Sequence, residues 1–158
     1  MGRYRRVSHS SQETLLLGTE LGQVLVPGAV LLLFGDYGAG KTEFVRGIVS
    51  GYLGDTIAQE VASPSFSILH VYGNEPKRLC HYDLYRIDQK NQEYIFQDAE
   101  EDDVLCIEWA DRLPKPRFCD TINIYITMLT NMEREIIIEK RYSLFSIVSL
   151  HTDRHKEE

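Results

Sequence analysis

A glycine-rich segment at residues 35–42, GDYGAGKT, constrains the fold of this chain more than any other feature. It matches the pattern G-x-x-x-x-G-K-[ST], in which glycines bring backbone N–H groups against phosphate oxygens. The uninterrupted apolar run Val30–Phe34 precedes it, and apolar residues recur at helical spacing over residues 44–53. A short apolar run without alternation is typical of a strand buried on both faces. The pattern therefore predicts a strand, a phosphate-binding loop and a helix in direct succession.

Each position of this loop has a defined task in nucleotide binding. The helix that follows adds the dipole of its N-terminus, which favours a polyanion. Lys41 is predicted to reach the β- and γ-phosphates, and the hydroxyl of Thr42 is predicted to bind Mg²⁺. The rest of the predicted nucleotide-binding set around the loop is Gly35, Gly38, Ala39, Gly40 and Glu43. The sequence lacks the Asn-Lys-x-Asp motif that reads guanine, which favours ATP as the nucleotide.

A magnesium site beside such a loop needs a carboxylate from the end of a neighbouring strand. Two residues meet this condition, since Glu108 follows the apolar run 104–107 and Asp83 follows the strand-like run 79–82. The residues alone leave open which of the two binds Mg²⁺ directly. Trp109, the only tryptophan, lies beside this predicted site. It would either stack on a base or a partner, or pack in a half-buried position.

The charge balance limits the partners of the chain. Its 158 residues suffice for one domain with its own core, and 24 acidic against 17 basic residues give a net charge of −7. A protein that binds nucleic acid by itself needs a large positive surface, so we do not expect autonomous DNA or RNA binding. The acidic balance also disfavours anionic membranes. The acidic run 98–103 is predicted to be a solvated face or a docking surface for a basic partner.

The cysteines and histidines show no catalytic or metal-binding spacing. Cys80, Cys106 and Cys119 are far apart and are predicted to be small buried residues in a reducing compartment. The histidines, His81 among them, are assigned structural roles. The N-terminus lacks the apolar segment of a signal peptide, and the longest apolar run is too short for a membrane span. We therefore expect a cytoplasmic protein without membrane contacts.

The remaining patterns predict a single α/β domain of the P-loop NTPase type at residues 1–141. A helix is expected to begin after the capping residue Ser10 and to end before Pro27. The sheet is expected to be mixed, parallel near the glycine-rich loop and antiparallel in its C-terminal strands, with flanking helices. The other predicted elements are strands at 65–72, 79–85, 104–107, 121–129 and 133–139 and a short helix at 92–97. Residues 142–158 are predicted to form a C-terminal extension with a partly disordered tail.

The order and spacing of five motifs resemble those of the TsaE (YjeE) family of small bacterial ATPases. The motifs are GDYGAGKTEFVRG at 35–47, SPSF at 63–66, HYDLYR at 81–86, IEWADRL at 107–113 and EREIIIE at 133–139. A P-loop alone is widespread, whereas SPSF, DLYR and IEW at these distances are much more specific. The resemblance covers residues 10–139, which is most of the chain.

This resemblance implies roles for individual residues. Asp83 matches the aspartate needed for hydrolysis and Glu108 matches the second Mg²⁺ ligand, so Lys41, Asp83 and Glu108 form the expected catalytic set. Trp109 matches a functionally important tryptophan at the nucleotide and partner side. The remaining implied contacts are Ser65 in a loop near the γ-phosphate, Ser11 near adenine and Arg134 near the nucleotide.

The function implied by the resemblance is slow, Mg²⁺-dependent ATP hydrolysis in support of tRNA modification. A protein of this family would act with TsaD and TsaB in the threonylcarbamoylation of adenosine 37 of tRNAs that read codons beginning with adenine. It would meet tRNA only indirectly, through that complex. Two alternatives stay open from the residues. One is a small P-loop kinase, although no arginine-rich lid segment is evident, and the other is an ATP-gated adaptor that does not depend on hydrolysis.

Overall fold

The computed structural model describes residues 2–113 and 118–142, which form a seven-stranded sheet with helices packed against it. The strands are β1 (Arg3–Ser8), β2 (Val30–Phe34), β3 (Leu69–Asn74), β4 (Lys77–Asp83), β5 (Val104–Glu108), β6 (Thr121–Met128) and β7 (Arg134–Arg141). The helices are α1 (Ser11–Val24), α2 (Lys41–Leu53) and the short α3 (Asp55–Ala58). Segments of 3-10 helix cover Gln89–Tyr94 and Ala110–Arg112.

The sheet is parallel in its centre and antiparallel at both margins. Its strand order is β1-β7-β6-β2-β5-β4-β3. β2 pairs in parallel with β5 and β6, and β4 pairs in parallel with β5. The pairs β1–β7, β6–β7 and β3–β4 are antiparallel. The predicted mixed α/β sheet of the P-loop NTPase type is therefore confirmed.

Alternation along the central strands builds a core on each face of the sheet. Leu31 and Leu33 of β2 pack on the face that α1 and α2 cover. Leu105 and Ile107 of β5 pack on the other face, against a cluster that includes Phe96. Since β5 is buried along its whole length and β4 is buried from Leu79 onwards, Glu108 and Asp83 at their ends are buried as well.

Helices α1 and α2 approach each other closely because glycines line their contact. Gly18 and Gly22 of α1 face α2, and Gly47 and Gly51 of α2 face α1. A Cβ atom at Gly47 would collide with the backbone carbonyl oxygen of Leu15. Because α2 begins directly after the glycine-rich loop, this contact also sets the direction of the helix N-terminus at that loop.

The N-terminal strand β1 is absent from the sequence-based prediction. Its side chains are exposed except near its end, and three of its six residues are arginines. It joins the sheet through backbone pairing with β7, and two of its arginines form the salt bridges Arg3–Glu139 (3.3 Å) and Arg5–Glu135 (2.5 Å). A charged edge strand carries no apolar signal, so its partner strand determines its formation.

The predicted strands at 79–85, 104–107, 121–129 and 133–139 are present with bounds shifted by one or two residues, whereas two other elements differ more. The strand expected at 65–72 begins only at Leu69, because the preceding Ile68 has a left-handed backbone conformation with φ +70°. The helix expected at 92–97 is a 3-10 segment at Gln89–Tyr94, which Asp88 caps by accepting a hydrogen bond from the Lys90 backbone N–H. The predicted extension and tail lie, from residue 143 onwards, outside the described residues.

The predictions for the cysteines and for the acidic run are each wrong at one position. Cys80 and Cys106 are buried in strands, but Cys119 is exposed because it lies in the connection before β6. Asp103 of the acidic run is buried, and Arg78 donates to both of its carboxylate oxygens at 3.0 and 2.6 Å. No helix in residues 2–113 and 118–142 has the length and apolarity needed to cross a bilayer.

Candidate nucleotide-binding site

Three strand ends meet at one edge of the sheet and form the candidate site. The glycine-rich loop follows β2, Asp83 ends β4 and Glu108 ends β5. Asp83 and Glu108 are register partners across the β4–β5 pair. In open α/β sheets ligands bind outside the carboxyl ends of the parallel strands. A cavity of about 520 Å³ lies there, and its lining includes Gly38, Gly40, Lys41, Thr42, Ser65, Asp83, Glu108 and Trp109.

The backbone of the glycine-rich loop takes conformations that favour glycine. Gly38 has φ +78°, and Gly40 has φ +104° at the position that precedes α2. The helix behind Gly40 has no side-chain cap, so its first N–H groups remain available to an anion. This is the local geometry that the P-loop pattern predicts.

The ammonium group of Lys41 is buried and held by the loop itself. Its Nζ donates to the carbonyl oxygens of Gly35 at 2.6 Å and Asp36 at 2.9 Å. Burial lowers the pKa of Lys41, while the nearby carboxylates of Glu108 and Asp83 act in the opposite direction. Lys41 is also one of the residues that line the cavity.

Thr42 and Glu108 are joined directly. The Thr42 hydroxyl donates to Oε1 of Glu108 at 3.0 Å, although the two residues are 66 positions apart in the chain. Glu108 is only 2% exposed, and its other oxygen, Oε2, lies 2.8 Å from Nε2 of His81. The predicted Mg²⁺ ligands Thr42 and Glu108 are thus brought together by the fold.

Asp83 is connected to the loop that contains the SPSF motif. Ser63 donates from its hydroxyl to Oδ2 of Asp83 at 2.7 Å, and the backbone N–H of Tyr85 donates to Oδ1 at 2.9 Å. The end of the same loop is strained, since Ile68 is a β-branched residue at positive φ. Strain of this kind is typical of functional sites, where the surrounding structure enforces it.

The donor set at this strand edge fits Mg²⁺ bound together with a nucleotide. Thr42 offers a hydroxyl oxygen, and Glu108 and Asp83 offer carboxylate oxygens, which are the ligands that this hard cation prefers. Within the part of the chain that the structure describes, no group of three His, Cys, Asp or Glu side chains forms a complete metal cage. Mg²⁺ in nucleotide sites takes only one or two protein carboxylates and completes its shell with phosphates and water. The residues present match that pattern.

Trp109 contacts Lys41 in the lining of the cavity. It directly follows Glu108 and has φ +57°, a left-handed conformation rare for a tryptophan. The ammonium of Lys41 lies 4.1 Å from the centroid of the Trp109 ring, and the Tyr85 ring lies 4.8 Å from it. The aromatic side chains Tyr37 and Phe66 lie exposed at the same cavity. The mouth of the site is therefore aromatic.

A second, smaller cavity of about 140 Å³ adjoins the loop at Gly40, which lines both cavities. Its lining includes Ser11, Glu43 and Arg134, three predicted nucleotide contacts that are absent from the larger cavity. Nε of Arg134 donates to the carbonyl oxygen of Ala39 at 2.9 Å, and Nη1 donates to that of Thr130 at 2.9 Å. Arg134, at the start of β7, therefore binds the backbone of the glycine-rich loop.

The structure divides the predicted site residues into three groups. The larger cavity brings together those expected at the phosphates and the metal, and the smaller one brings together Ser11, Glu43 and Arg134. Gly35 and Ala39 line neither, and both face a separate depression beside Tyr125. His81, to which the sequence pattern assigns only a structural role, contacts Glu108. The available signal was the alternation along β4, which places His81 on the same face as Asp83.

A family model described as "Threonylcarbamoyl adenosine biosynthesis protein TsaE" matches residues 8–136. The chain belongs to the TsaE family. Curated proteins with the name "tRNA threonylcarbamoyladenosine biosynthesis protein TsaE" are similar to this chain over most of the chain's length. The protein of Rickettsia conorii is 31% identical over 94% of this chain and 80% of its own length. The protein of Treponema pallidum is 36% identical over 85% of this chain and 98% of its own.

A solved structure supports the same assignment. The crystal structure of Bacillus subtilis YdiB matches this fold with a TM-score of 0.68 and 26% identity. The match covers 99% of this chain and 97% of that chain. The resemblance inferred from the motifs is thus confirmed for the family and for the fold.

Proposed function

We propose that this TsaE-family protein binds ATP with Mg²⁺, hydrolyses it slowly, and so supports the threonylcarbamoylation of adenosine 37 of tRNA. The observation that carries the proposal is the convergence of Lys41, Thr42, Asp83 and Glu108 on one cavity at the carboxyl edge of the sheet. These residues come from three separate elements, and they supply the cation, the hydroxyl and the carboxylates that phosphoryl chemistry requires.

In this proposal each residue has one task. Lys41 contacts the phosphates through its buried ammonium group. Thr42 and Glu108 hold Mg²⁺, which neutralises phosphate charge when it is bound. Asp83 has both oxygens fixed by Ser63 and by the backbone of Tyr85, so its carboxylate is oriented before any ligand arrives. Ser11 and Arg134 border the smaller cavity, which adjoins the loop at Gly40 and is the proposed adenine position.

The proposed partners are TsaD and TsaB. Exposed aromatic side chains around the cavity mouth, Tyr37 and Phe66 with Trp109 beside them, are of the kind enriched at protein interfaces. The net charge of −7 suits a subunit that leaves tRNA binding to its partners. We place this function in the cytoplasm, where tRNA modification takes place.

The first prediction concerns Lys41. Lys41→Ala is expected to lower ATP affinity by at least about tenfold, because it removes a charge-assisted contact of about 1.5–3 kcal/mol. Lys77→Ala removes the same charge at the opposite end of β4 and serves as the control. Calorimetric titration with ATP and Mg²⁺ measures both. An affinity of Lys41→Ala equal to that of Lys77→Ala would contradict the proposed site.

The product of the reaction separates hydrolysis from kinase activity. The proposal expects free phosphate from ATP in the absence of any acceptor. Phosphate transferred to an added metabolite or nucleotide, with no free phosphate, would instead identify a small-molecule kinase.

A further inference from the structure

His81 makes a contact that the proposed function does not yet use. Its side chain is completely buried, and its Nε2 lies 2.8 Å from Oε2 of Glu108. This contact and the Thr42 hydrogen bond to Oε1 together engage both oxygens of the Glu108 carboxylate.

Strand register explains how His81 reaches Glu108. β4 and β5 are parallel neighbours in which His81 pairs with Cys106 and Asp83 pairs with Glu108. Residues two apart on a strand share a face, so His81 and Asp83 lie on the same face of β4. His81 therefore lies diagonally opposite Glu108, two residues before the end of β4.

The donor and acceptor properties of the two side chains define the direction of this hydrogen bond. An ionised carboxylate only accepts hydrogen bonds, so Nε2 of His81 is the donor to Glu108. Nδ1 of His81 is buried and has no hydrogen-bond partner among the described residues. A ring placed for its own stability would be expected to satisfy both nitrogens. In this geometry the His81 ring makes one hydrogen bond, from Nε2 to Glu108.

We propose that His81 is a positioning residue for the Mg²⁺–nucleotide site, and this inference rests on the proposed function. By binding Oε2, it fixes the carboxylate rotamer of Glu108 and leaves Oε1 directed at Thr42, the second proposed metal ligand. Carboxylates that bind metals are commonly held by such hydrogen bonds, and loss of the supporting group costs about 10–100-fold in metal affinity or activity. His81 does not itself touch the nucleotide in this arrangement.

The alternative is that His81 only fills space between β4 and its neighbours. Removal of a space-filling group would lower the melting temperature but would not change the Mg²⁺ requirement of a protein that still folds. The measurement is therefore the Mg²⁺ concentration that gives half of the gain in ATP affinity. It is obtained from calorimetric ATP titrations in EDTA and at graded Mg²⁺, without reference to turnover.

Three substitutions at His81 and one control separate the two roles. His81→Leu and His81→Asn remove a donor at the Nε2 position, whereas His81→Gln keeps an amide N–H near it. His70→Leu is the matched control, because His70 pairs with His81 across the β3–β4 hairpin and contacts Tyr72 instead of Glu108.

We expect His81→Leu and His81→Asn to raise the half-effective Mg²⁺ concentration by about tenfold or more, with ATP affinity in EDTA close to that of the wild type. We expect His81→Gln to restore most of this loss and His70→Leu to show none. An unchanged Mg²⁺ requirement in whichever of the Leu and Asn variants folds would overturn the inference. Equal losses in EDTA and in Mg²⁺ would do so too. A wild type whose ATP affinity does not respond to Mg²⁺ would overturn the proposed metal site itself.

Discussion

Buried polar side chains of this protein are placed according to the partners that they find. Lys41 is buried against backbone carbonyls of its own loop, and Glu108 is buried between a hydroxyl and an imidazole. An isolated buried charge would cost far more than such a small domain can offset. The buried thiols of Cys80 and Cys106 meet the same requirement by staying protonated, and that of Cys80 donates a hydrogen bond to Oδ2 of Asp103 at 3.4 Å.

The three cysteines are predicted to differ in thiol reactivity. Burial raises the pKa of Cys80 to about 12 and also raises the pKa of Cys106, whereas Cys119 is exposed. Since the thiolate is the reactive species, native protein should react with an aromatic disulfide reagent at Cys119 alone. The measurement is the number of fast-reacting thiols before and after denaturation. Cys119→Ser should abolish the fast reaction, and fast labelling that persists in this variant would contradict the described burial.

The residues of the candidate site differ in how well their contacts can be predicted from the sequence. Lys41 and Thr42 were predictable because a local motif determines their surroundings. The partner of His81 was not, since it depends on the register of β4 against β5, which no local pattern specifies. Arg134 is an intermediate case. The resemblance places it near the nucleotide, but only the folded hairpin β6–β7 brings it to the carbonyl oxygen of Ala39.

At the scale of secondary-structure elements, the contact between α1 and α2 positions the glycine-rich loop. Gly47→Ala is predicted to destabilise the protein by about 2 kcal/mol. The substitution gains about 1 kcal/mol of helix propensity but loses about 3 kcal/mol because the new methyl group collides with backbone, which cannot rotate away. Urea unfolding measures the change, and Gly2→Ala is the control because a Cβ there meets no atom within 4 Å. Equal stability of the two variants would contradict the close helix contact.

The salt bridge between Arg78 of β4 and Asp103 of the acidic run predicts that the stability of the protein depends on pH. The hydrogen bonds from Arg78 hold the pKa of Asp103 below its ordinary value of 3.8. A carboxyl group whose pKa is depressed by folding stabilises the protein above its unfolded-state pKa, and that contribution is lost as the pH falls through the folded-state value. The wild type should therefore exceed Asp103→Asn in stability at neutral pH, and the difference should shrink below about pH 4.

Urea unfolding of both proteins between neutral and acidic pH tests this prediction. Asp102→Asn, at the exposed neighbouring position, is the control and should show little difference at any pH. A stability difference for Asp103→Asn that persists unchanged into acid would contradict the role of the carboxylate charge.

Elements with a strong apolar pattern were predictable, and elements that depend on a partner were not. β5 is an apolar run buried on both faces, and β2 is an apolar run buried on one face and half-buried on the other, so their composition alone indicates strands. β1 exposes most of its side chains and exists because β7 offers it a pairing edge. The segment before β3 was predicted as strand, but Ile68 is held at positive φ where the chain turns from the SPSF loop into the sheet.

At the scale of the whole molecule, one edge of the sheet carries the site, and its mouth is open and aromatic. Tyr37 and Phe66 are 84% and 85% exposed there, which is unusual for large apolar side chains at a cavity. Among the described residues this cavity lies at the carboxyl edge of the seven-stranded sheet, so a partner at its mouth would meet bound nucleotide from that edge. This arrangement suits a subunit that reports its nucleotide state to a protein docked at the mouth.

In the proposed function, ATP bound at this cavity drives repeated tRNA modification by the partners. The direct measurement is a reconstituted reaction with TsaD, TsaB, tRNA and the threonylcarbamoyl donor, in which modified tRNA is counted per molecule of TsaD. We expect many turnovers with ATP and the wild-type protein, and none beyond the first with Lys41→Ala or without ATP. Sustained turnover in the absence of this protein, or with Lys41→Ala at the wild-type rate, would contradict the proposed function.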